Sequence, residues 1–140
     1  MALLFTNNGE FRFLRIGLNH LTPTDLQLAL FTDDIIPDPT ILGLTEPDGG
    51  GYAKIDLLDS SWTITTDING KAKGVYPDQT FVFTGPLTGP STIYGYMLMQ
   101  KWRPYPGNLL AVERFIDSFT PVSNGDSIMI PLVVTLFSEF

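Results

Sequence analysis

Hydrophobic positions change their spacing once along this chain, from a helical period near the amino terminus to a strand period thereafter. Phe11, Leu14 and Leu18 recur at i, i+3 and i+7, which is one stripe of a helix. An asparagine from Asn7-Asn8 suits the N-cap, Glu10 falls in the positive first turn, and Asn19 can end the helix. A strand built on Phe11 and Phe13 competes, but it puts Leu14 and Ile16 on the wrong face. The spacing therefore predicts a short helix, followed by a turn over Thr22, Pro23, Thr24 and Asp25.

From Leu26 the period is two. Strands are predicted at 26–32, 52–58, 62–68, 71–76, 80–84, 92–100, 109–115 and 128–137. Between them lie the loop Asp33–Pro39, an ambiguous stretch 41–46, and the turn Pro47-Asp48-Gly49-Gly50-Gly51. Asn69-Gly70 is a strong hairpin turn. Gly85-Pro86, Gly89-Pro90 and Ser123-Asn124-Gly125-Asp126 supply the remaining breaks. About eight strands with turns every 8 to 12 residues predict a mainly β fold, an antiparallel, jelly-roll-like β-sandwich. Residues 1–20 read as an amino-terminal arm with the helix, and 21–140 as the sandwich domain.

Two strands break the simple alternation of a sandwich. In TIYGYMLMQ, Thr92, Tyr94, Tyr96 and Leu98 oppose Ile93, Gly95, Met97 and Met99, and both sets are largely apolar. The last strand sets Ile128, Ile130, Leu132, Val134 and Leu136 against Met129, Val133 and Phe137. A sandwich strand wets one face, so apolar residues on both faces call for an outer cover. The helix is expected to supply part of that cover and a neighbouring subunit the rest. Pro131 lacks an N–H and predicts an edge position or a bulge in the last strand.

Composition narrows the function. A chain of 140 residues is one domain by size, and 44% hydrophobic against 16% charged residues describes a folded chain with a poorly charged surface. A formal charge of −7, with its eight basic residues scattered, excludes a nucleic-acid partner. There is no cysteine for a disulfide or a thiolate metal site, and no apolar run approaches the roughly 18 residues of a membrane helix. MALLFTNNG has no basic region before its apolar run, so synthesis in the cytoplasm without export is expected.

Candidate chemistry is sparse. Asp33, Asp34 and Asp38 could offer oxygen ligands to calcium, but aspartates at turns more often bind their own backbone. Asp67-Ile68-Asn69-Gly70 opens like a calcium loop, yet Lys71 and Lys73 stand where ligands belong. His20 is the sole histidine, and no GxSxG elbow or phosphate loop is present. No catalytic residue, metal site or cofactor is expected. Glu113 and Arg114 are adjacent in LLAVERF, so they point to opposite faces as possible buried ion-pair members. The tip KWRPYPGN carries Trp102, Arg103 and Tyr105, residue types that dominate binding interfaces.

The ordered series LALFTDDIIPDPTILGLTE, GYAKIDL, SWTIT, YPDQTFVFTG, TIYGYMLMQ, LLAVERF and SNGDSIMIPLVVTL is similar to a family of small structural proteins of tailed bacteriophages. It looks most like the capsid decoration, or cement, type. The likeness covers nearly the whole chain from Leu26 and rests on order and spacing. It departs at KWRPYPGN, where the family has a shorter turn, and at Pro131. It implies a β-sandwich, often a homotrimer, that binds the major capsid protein on the outside of the virion head and is not an enzyme. Phe11, Leu14 and Leu18 on the helix, and Trp102, Arg103 and Tyr105 at the tip, are then the expected partner contacts. The alternative is a tail or head-fibre subunit that reads a glycan through Trp102 and nearby carboxylates.

Overall fold

The computed structural model describes residues 3–18, 26–101, 103 and 106–135, without the side chains of residues 15–18. The expected turn over 22–25, His20, Trp102, Tyr105, Leu136 and Phe137 lie outside these residues. Strand β1 (Leu4–Phe5) leads into helix α1 (Asn7–Leu18). The helix starts two residues before Gly9, and its cap is Thr6 rather than an asparagine. The Thr6 carbonyl accepts from Glu10 N–H at 3.0 Å, and its Oγ1 accepts from Gly9 N–H at 2.9 Å. Thr6 can do this while fully buried because the same hydroxyl donates to the backbone of Leu109, at 2.9 Å. Glu10 occupies the first turn, as the charge pattern predicts.

The strands are β2 (Leu26–Phe31), β3 (Asp48–Gly49), β4 (Ile55–Leu57), β5 (Thr63–Thr66), β6 (Ala72–Val82), β7 (Leu87–Thr88), β8 (Ile93–Gln100), β9 (Leu109–Phe119) and β10 (Ser127–Thr135). They form an antiparallel sandwich. One sheet has the order β1-β9-β8-β2-β4, the second β10-β6-β5, and β3 pairs with β7 in a small ribbon. Leu28, Leu30, Leu57, Tyr96, Leu98 and Leu110 face Tyr76, Phe81, Ile130 and Leu132 across the core. Each fully buried side chain of this size contributes about 1.5–3 kcal/mol. Of the two apolar faces read for the last strand, the one with Ile128, Ile130, Leu132 and Val134 is the one that packs there. The amino-terminal arm takes part as well, since β1 adds to β9 through Leu4–Val112 and Phe5–Ala111.

Two strands predicted from 71–76 and 80–84 are one. β6 runs through Pro77 because the pairing slips at that point: Ile130 opposes Gln79, whereas Leu132 opposes Tyr76. Pro131 therefore sits across from Pro77 and Asp78, in a bulge where neither proline needs a ladder N–H. β10 is also an edge strand, so both expectations for Pro131 hold. By contrast, Tyr52 lies before β4 rather than in it. Its hydroxyl accepts from Leu30 N–H at 3.2 Å and donates to Glu46 at 2.9 Å.

A second bulge reverses part of the predicted facing of β8. Ile93 pairs with Phe119 but Gly95 with Arg114, so β9 bulges between them. Ile93, Tyr96 and Leu98 face the main core, while Tyr94, Met97 and Met99 belong to a second cluster outside it. Gly95 is required here, since a Cβ would lie 2.1 Å from the Glu113 carbonyl oxygen and 2.5 Å from the Phe31 ring.

Candidate interaction surface

The second apolar face of the hairpin is already filled by the chain itself. Ala29, Phe31, Met97, Met99, Leu109 and Val112 are buried there under Ile41 and Leu44, with Leu4 beside them. This corrects the expectation that a neighbouring subunit and the helix cover this face. The covering segment, residues 33–46, reads as loop and ambiguous stretch in the sequence because its apolar residues are irregularly spaced.

The charged residues of that region are consumed in fastening the cover. Asp33 accepts from Thr45 N–H at 2.6 Å, and Asp38 accepts from the Thr40 N–H and hydroxyl. The Thr40 contacts hold the Asp38 carboxyl below its usual range, side-chain bond first. Asp34 forms an ion pair with Arg114 at 2.7 Å. Arg114 also donates to the Ile35 carbonyl at 2.8 Å and lies over the Tyr94 ring, 5.0 Å from its centroid. No group of three or more acidic or histidine side chains among the described residues could hold a metal ion.

Glu113 and Arg114 do face opposite ways. Arg114 is half-buried on the outer side, whereas Glu113 accepts from the Tyr96 hydroxyl and forms no ion pair among the described residues. Burial foremost, then the Glu113 carboxylate, raises Tyr96 above the usual tyrosine range. In the hairpin tip Arg103 is exposed, and its Nε donates to the Gly107 carbonyl at 3.0 Å. That carbonyl also accepts from Asn8 of α1 at 2.7 Å, and Gly107 N–H donates to Leu42. The long tip is thus tied to both the helix and the cover. Trp102 and Tyr105, its aromatic partners in sequence, lie outside the described residues.

Helix α1 seats on β9 through Gly9, where a Cβ would fall 2.0 Å from the Leu110 carbonyl oxygen. With that side turned inward, Phe11 and Leu14 are left 55% and 60% exposed, so over half of each side chain remains to be covered. Leu18 closes the same helical turn pattern, within α1. Phe13 packs edge-on against Phe5, with centroids 5.0 Å apart.

Two further apolar features complete the surface, the first of them anticipated by the two-faced pattern of the last strand and the second not. On the outer face of the three-stranded sheet Met129 and Val82 are exposed and Val133 is 39% exposed, so this side of β10 is left open among the described residues. Beside α1, the sandwich opens into a groove of about 410 Å³. Leu98 and Leu110 of one sheet and Ile64 and Val134 of the other line it, with Trp62 just ahead of β5 and Arg12 and Phe13 on the helix side. Only β-strand pairing brings these residues together, so no local pattern could have announced the groove. Comparison with known proteins yields no matching family model and no matching curated protein.

Proposed function

We propose that this chain is a non-enzymatic virion structural protein, a decoration protein that binds the outer surface of a tailed-phage head as a homotrimer and stabilises it. The observation that carries the reading is the exposed Phe11 and Leu14 on a helix otherwise firmly seated on the sheet. Full burial of such side chains is worth about 1.5–3 kcal/mol each, and roughly half of that remains to be gained here. Three copies in one trimer would combine these modest increments by linkage rather than by any single strong contact. The similarity of the ordered strand sequences to decoration proteins supports the same reading.

Subunit contacts are assigned to the outer face of the three-stranded sheet, around Met129 and Val133. The outer face of the hairpin has no part in them, because residues 33–46 occupy it. The negative surface elsewhere keeps the assembly from binding nucleic acid adventitiously. Cryo-electron microscopy of the virions that contain this chain, paired with mass spectrometry, tests the proposal. Density on the head lattice with α1 against the shell is expected. Density restricted to the tail would refute it in favour of a tail or fibre subunit. Light scattering on the recombinant protein should give a trimer, and a monomer at high concentration would remove the subunit contacts.

A further inference from the structure

We propose that the groove at the open end of the sandwich binds a small amphipathic carboxylate, with its apolar part between the sheets and its carboxylate on Arg12. The proposal is independent of the capsid reading. Leu98 and Leu110 belong to the main core, so the groove continues that core to the surface and stops short of closing it. At about 410 Å³ with a mostly aliphatic and aromatic lining, it has the dimensions and character of a small-molecule site. Water there would find few polar partners, whereas an alkyl or aryl group would extend an existing packed surface.

Arg12 selects the chemical class. It stands on the helical wall of the groove, and its Nε is shut off from solvent without a hydrogen-bond acceptor. Lys54, Lys101 and Arg114 each hold a carboxylate, of Glu46, Asp56 and Asp34 respectively. No ion pair is formed by Arg12 among the described residues. The terminal nitrogens of the same guanidinium are not closed off in this way, and a planar carboxylate bridges them with two charge-assisted hydrogen bonds. Lys73 and Asp59 also line the groove and are of opposite sign, so Arg12 supplies its excess charge. An apolar lining with one excess positive charge fits a monocarboxylate better than a doubly charged phosphate.

The test is titration of the full-length protein with decanoate below its micellar concentration, followed by NMR, with decanol as the uncharged control. Decanoate should shift the signals of Phe13, Leu98, Leu110 and Val134 and bind at least tenfold tighter than decanol. Arg12→Met should bring decanoate down to the decanol affinity, while Arg12→Lys should retain part of the difference. Ile64→Glu is the second variant. Ile64 is 74% exposed, so the change leaves folding intact while placing a repelling charge at the groove, and decanoate binding should fall. Equal binding of decanoate and decanol, or shifts confined to residues away from the groove, would overturn the proposal. So would groove signals that move on dilution without ligand, because a second copy would then be the occupant.

Discussion

Gly9→Ala isolates the contact on which the whole α1 surface depends. In an ordinary exposed helix the change would stabilise by up to about 1 kcal/mol, since alanine is the better helix former. Here the new Cβ would stand 2.0 Å from the Leu110 carbonyl oxygen and 2.8 Å from its carbonyl carbon, against an ordinary carbon–oxygen approach of about 3.3 Å. The helix must therefore retreat by about 1 Å or β9 must bend. Either movement stretches the Thr6 N–H bond to Leu110, 2.9 Å long, and the Thr6 hydroxyl bond to Leu109, also 2.9 Å. Each is worth about 1 kcal/mol, and the Thr6 cap a similar amount. After the helix-propensity gain is subtracted, a net loss of roughly 1–3 kcal/mol is expected. In urea denaturation this lowers the midpoint by about 1 M, given a slope of about 1–3 kcal/mol/M. An unchanged slope means that the displaced helix still unfolds with the sandwich; a reduced slope means that it has detached in the native state. A neutral or stabilising result would refute the close seating of α1 on β9.

Gly95→Ala should cost about 1–3 kcal/mol because its Cβ meets both the Glu113 backbone and Phe31, and adding Phe31→Leu should recover part of the loss in a double-mutant cycle. Arg114→Met removes the Asp34 ion pair, the Ile35 bond and the Tyr94 contact. Amide exchange should then accelerate across residues 33–46, and unaltered exchange would show that Arg114 does not fasten the cover. Burial, above all, raises Tyr52 and Tyr96 above the usual tyrosine value of 10.0. Their folded forms hold the proton more tightly than the unfolded chain does. The resulting stability is complete below pH 10 and is lost as pH rises above it, by up to about 1.4 kcal/mol per pH unit for each tyrosine. Urea titrations at several alkaline pH values read that slope, and Tyr52→Phe should reduce it. Thermal midpoints with calcium and with chelator should coincide, because Asp33 and Asp38 already bind Thr45 and Thr40; a rise with calcium would show a site.

Features that depend on neighbours along the chain were legible before any tertiary contact was known. Period-two alternation in β10, the Asn69-Gly70 turn between β5 and β6, and the helical spacing of Phe11 and Leu14 all reappear, because pleat, turn geometry and helix pitch are local constraints. The apolar character of both faces of β8 was legible too, but not the identity of its cover. Ile41 and Leu44 have no strand or helix period, and only their position over Met97 and Val112 gives them a role. Pro77 reads locally as a break, and only Pro131 opposite it makes an uninterrupted β6 possible. Likewise, the bulge that separates Tyr94 from the facing of Tyr96 is set by β9, more than ten residues away in sequence. Which apolar residues remain exposed on α1, and that Arg12 faces a groove built from both sheets, are consequences of long-range packing. A one-dimensional pattern records which residues avoid water; the tertiary structure decides which of them the chain can cover.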